Sequence, residues 1–354
     1  MRNSMISLKS SLLIGGLVIS SMTIAGNEDR VGTSGAGQLL VNPWSRSASM
    51  GSAGIASATG LEASFLNIAG LAFTDKTQIK FNSSNWMGNA NIKFYSAGLA
   101  QRISEQSVFA ISVQSMNMGE LLITTVDNPE GGFGTFSPRL NVVNLGYART
   151  FSSSIYAGIN LKVVSEKIQN AGATGIALDA GIKYVTGEQD QFKFGITLKN
   201  VGPTMRMSGD GFGQQVTYNS VGEVATLEQR TADYELPSNL GIGASYDFIF
   251  DEKNMLVAAF GYTANSFFYD QFRLGLDYGM RTEKVAFNLR GGYVYEKNLL
   301  SAENSANALV GPTAGFSVDA LTGASKNALG IEYCARFAGK FGIIHTFGLT
   351  ISLK

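Results

Sequence analysis

The chain has 354 residues, 45% of them hydrophobic, with 42 glycines, 22 phenylalanines and 13 tyrosines but only 6 prolines. Lys plus Arg and Asp plus Glu balance at 27 each, so no net field recruits nucleic acid and that class of partner is set aside. A single histidine, His345, and a single cysteine, Cys334, argue against a histidine-cluster zinc site and an intramolecular disulfide framework.

Residues 1–25 read as a signal peptide. Arg2 and Lys9 make a basic start, Leu12 to Ile19 an apolar stretch, and Ala25 ends a small-residue cleavage site. The apolar stretch is shorter than the roughly 20 residues a spanning helix needs. No cysteine near the site accepts lipid, so export without a lipid anchor is expected. Residues 26–76 are rich in small residues and have no sustained strand period, yet they are too apolar for a solvated linker. Short helical turns are expected around Ala53 to Ala56 and Glu62 to Asn67, packed inside something larger.

From Thr77 the pattern changes to a succession of strands. Fourteen are predicted, at 77–86, 91–103, 107–119, 141–151, 154–167, 174–186, 191–201, 239–250, 254–264, 270–281, 284–296, 311–321, 327–337 and 340–353. An even number suits a bacterial outer-membrane barrel whose two ends emerge in the periplasm. The alternation is explicit in QFRLGLDYGM, where Phe272, Leu274, Leu276, Tyr278 and Met280 oppose Gln271, Arg273, Gly275, Asp277 and Gly279. A soluble antiparallel sheet alternates in the same way. Connection lengths point to the membrane: compact polar turns (SEQS, SSS, TGEQDQ, DEKN, RTEK, TGASK) take every second connection, with longer segments such as 120–140, 202–238 and 297–310 between them. The final hairpin, near Ala338 and Gly339, is an exception to this alternation, because its outer loop must be short. The expected fold is therefore all-β: an antiparallel transmembrane β-barrel of about 14 strands over 77–354, with 26–76 as an N-terminal luminal plug.

Charged residues on the small-residue faces are expected inside the barrel. The main candidates are Lys183, Arg273, Asp277, Arg290, Glu332 and Arg336, with Lys93, Lys162, Asp179, Lys193 and Lys199 beside them. Their mixed signs suit hydrogen bonding to the plug better than ion selectivity. Tyr147, Tyr184, Tyr246, Tyr262, Tyr278 and Phe347 are candidates for aromatic girdles. Cys334 reads as a small residue packed on the inner surface and His345 as a structural or interfacial one. No G-x-S-x-G elbow is present. No catalytic residue, metal site or cofactor is expected, and the chain reads as non-enzymatic.

Pro43, Arg46, the run Met50-Gly51-Ser52-Ala53-Gly54, the later Asn67-Ile68-Ala69-Gly70 and the terminal HTFGLTISLK resemble the PorV/PorQ family of outer-membrane proteins. That family belongs to the group shaped like the fatty-acid channel FadL. The departure is Ile68, where the family usually has proline, which frees φ and restores a backbone donor. The resemblance implies a plug motif at Pro43, Arg46, Met50, Gly51, Gly54, Asn67, Ile68, Ala69 and Gly70. It implies an accessory role in type IX protein secretion, in which loops 120–140 and 202–238 dock a translocon, exported cargo bearing a signal domain, or surface-attachment proteins. Two other readings stand beside it. One is a FadL-like transporter of hydrophobic small molecules, with Phe65, Leu66 and Ile68 lining a pocket; the other is a structural barrel that binds surface proteins.

Overall fold

The computed structural model describes residues 28–87, 91–217, 224–299, 307–323 and 326–354, so the expected signal peptide at 1–25 lies outside the described residues. The strands are β1 (Thr77–Trp86), β2 (Ile92–Arg102), β3 (Ser107–Asn117), β4 (Leu121–Leu122), β5 (Thr135–Phe136) and β6 (Arg139–Thr150). There follow β7 (Ile155–Ile168), β8 (Ala171–Thr186), β9 (Phe192–Val201), β10 (Gly213–Thr217), β11 (Val224–Glu228) and β12 (Asn239–Ile249). The last six are β13 (Asn254–Asn265), β14 (Gln271–Arg281), β15 (Val285–Glu296), β16 (Gly311–Thr322), β17 (Asn327–Phe337) and β18 (Ile343–Leu353).

Among the described residues, fourteen strands close into one barrel, each antiparallel to both neighbours. Closure is made by β1 against β18, in register from Thr77↔Leu353 to Asn85↔His345. Most predicted strand ends agree with the structure to within a residue or two. Two differ by three: β8 starts at Ala171, and β18 starts at Ile343 because Gly339–Phe341 forms a 3-10 turn. β4 pairs with β5 and β10 with β11 as separate two-stranded hairpins inside the two longest loops, which the sequence reading treats as loop throughout.

The period of two separates lipid from lumen. On β8, Ala177, Asp179, Gly181 and Lys183 are buried, while Ile176 (52% exposed), Leu178 (53%) and Ile182 (55%) face outward. The same outward face carries Phe194, Ile196, Leu198, Leu274, Leu276, Leu289, Ile331 and Leu349, all exposed. Such a continuous apolar belt has its natural partner in hydrocarbon. Crossing is by strands: no helix among the described residues is long and apolar enough to span a membrane.

The connections sort onto two rims. Both ends of the barrel and the compact turns lie on one, which we call the turn rim; the loops containing β4–β5 and β10–β11 lie on the other, the loop rim. Tyr147, Tyr184, Tyr246 and Tyr278 sit near the turn-rim ends of their strands, and Tyr262 near a loop-rim end. Tyr246 stacks edge-on with Phe192 and Phe248 at 4.6 Å from each. The loop rim has further short connections besides the final hairpin, among them the two-residue turn 169–170 and the five residues 266–270. β7 and β8 are the longest strands, at 14 and 16 residues, so their turn is made beyond the neighbouring strands. There it is covered by loop 202–238 through a Gly172↔Ser208 bridge.

Candidate functional site

Residues 28–76 precede β1 and form short turns: 3-10 segments at Glu28–Arg30, Gly37–Leu40, Gly60–Glu62 and Ile68–Phe73, and helices at Ser45–Ser49 and Ala63–Leu66. Their apolar side chains are buried. Trp44, Leu61, Leu66, Ile68 and Leu71 are each no more than 2% exposed. Leu61, Phe65, Leu66, Ile68 and Leu71 pack with Ala100, Val108, Ala110 and Ala148 of the barrel wall. Small residues on the inner strand faces let the segment's backbone come close. A methyl group on Gly292 would overlap the Met50 and Gly51 backbone, one on Gly315 would lie 2.6 Å from Ser49 Cβ, and one on Gly195 would lie 2.6 Å from the Ile55 carbonyl.

This arrangement yields a paired prediction. Gly292→Val is expected to dislodge the segment, seen as new protease cleavage within 37–73. Gly291→Val is expected to leave the digest unchanged, because nothing lies within 4 Å of where a Cβ at Gly291 would sit. Equal sensitivity of the two variants would contradict the packing.

The segment's free carbonyls and hydroxyls are met by polar groups of the strands. Asn67 Nδ2 donates to the carbonyls of Ile55 (3.1 Å) and Ile182 (3.0 Å), while its Oδ1 accepts from the Ala69 amide. Thr313 Oγ1 donates to the Ser49 carbonyl at 2.9 Å, Ser96 Oγ to that of Pro43 at 3.3 Å, and Arg336 to that of Asn42 at 3.1 Å. The densest cluster surrounds Glu332. Its carboxylate accepts from Ser45 Oγ (2.6 Å), Thr350 Oγ1 (2.8 Å) and Lys80 Nζ (2.9 Å), and Arg46 Nε lies 3.5 Å away. Lys80 also contacts Glu62, and Arg46 reaches Asp319 at 3.3 Å. Burial opposes the charge on Arg46, but Glu332, Asp319 and Glu62 together outweigh it and hold the guanidinium above its ordinary value.

The residues predicted from sequence divide clearly. Of the plug-motif set, Arg46, Met50, Gly51, Asn67, Ile68, Ala69 and Gly70 all lie at buried or barrel-contacting positions, and Gly54 packs against Leu66 and Ser57. Gly51 needs its φ of +63°. Ile68 opens the 3-10 segment Ile68–Phe73. The first position of a helix tolerates proline as well as other residues, because its amide lies outside the helix's own bonding. Among the luminal charges, Lys183 donates to the Ala58 carbonyl and sits 4.2 Å from the Phe73 ring. Asp277 pairs with Arg290 at 2.9 Å, and Arg290 also donates to Ser317. Lys162 pairs with Asp179 at 2.6 Å, and Lys193 with Asp247.

One expectation is corrected: Lys93 is exposed on the outward face. Its neighbours Phe94 and Ser96 take the lumen, so the period of two turns Lys93 away, one residue inside the loop-rim end of β2. Lys80, Glu62 and Asp319 were not picked out from sequence, although Lys80, Asn82 and Ser84 form the polar face of TQIKFNSSNW. Cys334 is fully buried on the inner face, and His345 Nδ1 lies 2.7 Å from the Tyr333 hydroxyl on the outer one.

The family model described as type IX secretion system protein PorV matches residues 24–264, more than half of the 354-residue chain. The chain belongs to the PorV family. Membership and the barrel together make it an outer-membrane protein, bounded by outer-membrane lipid, in a transport and secretion class without bond chemistry. Three solved structures share the fold. The CymD monoaromatic hydrocarbon channel is 13% identical, with a TM-score of 0.54, over 89% of this chain and 98% of its own. A deltaS2S3 mutant of the TodX monoaromatic hydrocarbon channel is 11% identical with a TM-score of 0.56, covering 87% of this chain and 97% of its own. The Pseudomonas putida toluene transporter TodX is 13% identical with a TM-score of 0.51, over 84% and 94%. These likenesses show a fold shared with the PorV-family chain and carry nothing further. No curated protein matches it.

The loop rim of this PorV-family chain is ordered by side-chain anchors. Tyr234 of loop 202–238 donates to Glu166 of β7 at 2.6 Å, and partial burial together with that carboxylate raises its phenol above the usual range. Met205 and Leu236 pack with Ala36, Leu39, Val142, Val164, Ala173 and Ala177. The start of the N-terminal segment joins the same rim: Gly35 N donates to the Glu235 carbonyl, Gly32 N to that of Phe267, and Arg30 pairs with Glu235. Its other end meets the turn rim, where Arg102 donates to the carbonyls of Ala72 and Thr74.

Proposed function

We propose that the protein is a closed barrel of type IX secretion, with the N-terminal segment as its luminal plug and the loop rim as a protein-docking surface. The observation that carries this reading is the form of the two long loops. Each is built around its own hairpin and presents apolar side chains to the outside: Leu122, Val126 and Phe133 on one, Val224 and Leu227 on the other. Exposed apolar groups on anchored hairpins suit reversible docking of a folded partner. The chemistry fits a secretion translocon, the signal domain of exported cargo, or a surface-attachment protein, and needs neither cofactor nor catalyst. In this reading residues 1–25 are removed after export, and the turn rim faces the periplasm.

The plug is supported by its contacts with strands around the barrel and by its length. It runs from Thr74 at the turn rim to Arg30 and Gly35 at the loop rim, so it fills the height of the lumen and is more than a cap on the periplasmic end. A second reading, a transporter of hydrophobic small molecules, draws on the shared fold with hydrocarbon channels.

Mild detergent extraction separates the two readings. Under the docking proposal, translocon or signal-domain proteins co-purify with the barrel, and epitope tags in 120–140 or 202–238 are labelled on intact cells. Bound acyl or aromatic molecules, with uptake lost on deletion, would move the assignment to transport. Labelling of tags at Glu188 and Glu283 instead would reverse the topology.

A further inference from the structure

Buried cations of the lumen fall into two groups. Arg46, Lys80, Lys162, Lys193 and Arg290 each have a carboxylate within salt-bridge distance. Lys183, Lys199, Arg273 and Arg336 form no ion pair among the described residues, and the last three border a single cavity of about 170 Å³. Among the described residues, no Asp or Glu lines that cavity. Glu296, the carboxylate next to it, is engaged by Gln271 (2.6 Å) and Asn307 (3.5 Å) and does not reach Arg273.

Each of the three has protein partners, but none is a carboxylate, and Arg273 keeps one atom without a partner. Lys199 Nζ has the Phe65 carbonyl at 2.7 Å and the Phe65 ring at 4.1 Å. Arg336 has the Asn42 carbonyl and the face of Trp86. Arg273 contacts Gln271 and, at 3.5 Å, the Ser52 carbonyl, which leaves its enclosed Nε without a partner. All three sit at the loop-rim end of the lumen, two residues from the end of β9, two from the start of β14 and one from the end of β17. A bulge in β9 contributes: Asn200, at φ +58°, is the extra residue between the Leu178 and Ala180 pairings, so Lys199 and Asn200 are both buried. Glu296 offsets Arg273 through space without touching it, but three cationic side chains around one partly open cavity leave an excess of positive charge that an anion would stabilise.

We propose that this cavity binds one compact oxyanion, of the phosphate, sulfate or short-carboxylate class, held by Lys199, Arg273 and Arg336. The size agrees: about 170 Å³ corresponds to roughly five waters at about 30 Å³ each, enough for such an ion with part of its hydration and too little for a long acyl chain. Because Val41, Ser52 and Phe65 of the N-terminal segment also line the cavity, the ion would tie that segment to three separate strands. The inference rests on the luminal placement of the segment, not on the identity of any docking partner.

The test uses the full-length protein in detergent, without secretion partners. Inorganic phosphate, sulfate and acetate are titrated at constant ionic strength against chloride, by calorimetry and by phosphorus NMR line width. One saturable oxyanion per barrel is expected, with phosphate broadened by the protein and released by sulfate. Acetate outcompeting phosphate would assign a carboxylate as the natural occupant. Arg273→Gln, checked for normal heat-modifiable gel migration, is expected to weaken binding about ten- to a hundredfold, as for loss of a hydrogen bond to a charged group. Phosphate binding indistinguishable from chloride, or unaltered in a folded Arg273→Gln variant, would overturn the proposal. The wild-type line-width measurement decides the matter even if the variant does not fold.

Discussion

Deleting residues 37–73 while keeping the export signal is expected to turn a barrel of near-background conductance into an open pore in planar bilayers. Fourteen tilted strands enclose a lumen too wide for inward side chains alone to fill. Under the plug proposal that space is taken by Trp44, Leu61, Leu66, Ile68 and Leu71, all of them essentially inaccessible. The strand hydrogen bonds do not involve the segment, so the barrel itself can close without it. Removal leaves a water-filled path lined by Lys80, Lys183, Arg290 and Glu332. A steady large conductance from folded wild-type protein would refute the luminal plug. Near-background conductance from a deletion variant with normal gel mobility would do the same.

Glu332→Ala is expected to lower stability by about 3–5 kcal/mol, the usual result of removing one member of a buried ion pair. Lys80 and Glu332 are 1% and 3% exposed, and Glu332 also serves Arg46, Ser45 and Thr350. Glu62 remains beside Lys80 and Arg46 in the variant, and Asp319 beside Arg46, but the cluster then carries one carboxylate fewer. The loss is read as a lower urea midpoint for the heat-modifiable folded form. The variant should also free Ser45–Ser49, whose carbonyls and hydroxyls depend on this wall, and so raise proteolysis of the segment. Asp233→Ala is the matched control. Its pairing with Arg206 is at the surface and screened, and no change in midpoint is expected. Equal midpoints for Glu332→Ala and wild type would show that the cluster adds no net stability.

The barrel was legible because its code is local. A period of two with apolar residues on one face and Gly, Ser, Asn and charge on the other marks each strand independently, and QFRLGLDYGM states its own inside and outside without reference to any neighbour. Lys93 shows where this fails. A charge near a strand end can face the lumen or the rim, and only the parity of Phe94 and Ser96 decides. The hairpins β4–β5 and β10–β11 were not legible, because strands of 2 to 5 residues are too short to show a period.

By itself, then, the sequence determined the fourteen barrel strands and the facing of most of their residues from local alternation, the membrane as solvent from the lengths of the connections, and the family from short motifs. Tertiary structure decided which charges meet. Glu332 is brought to Glu62, Lys80 and Arg46 from positions more than 250 residues away by the closure of β1 on β18, and no local pattern encodes that meeting. It also decided the bulge that turns Lys199 and Asn200 inward together, against the period of two. The path of residues 28–76 belongs to the same class: a segment without periodicity takes its shape from the glycines and polar groups of the wall around it, and those are assembled only when the sheet closes.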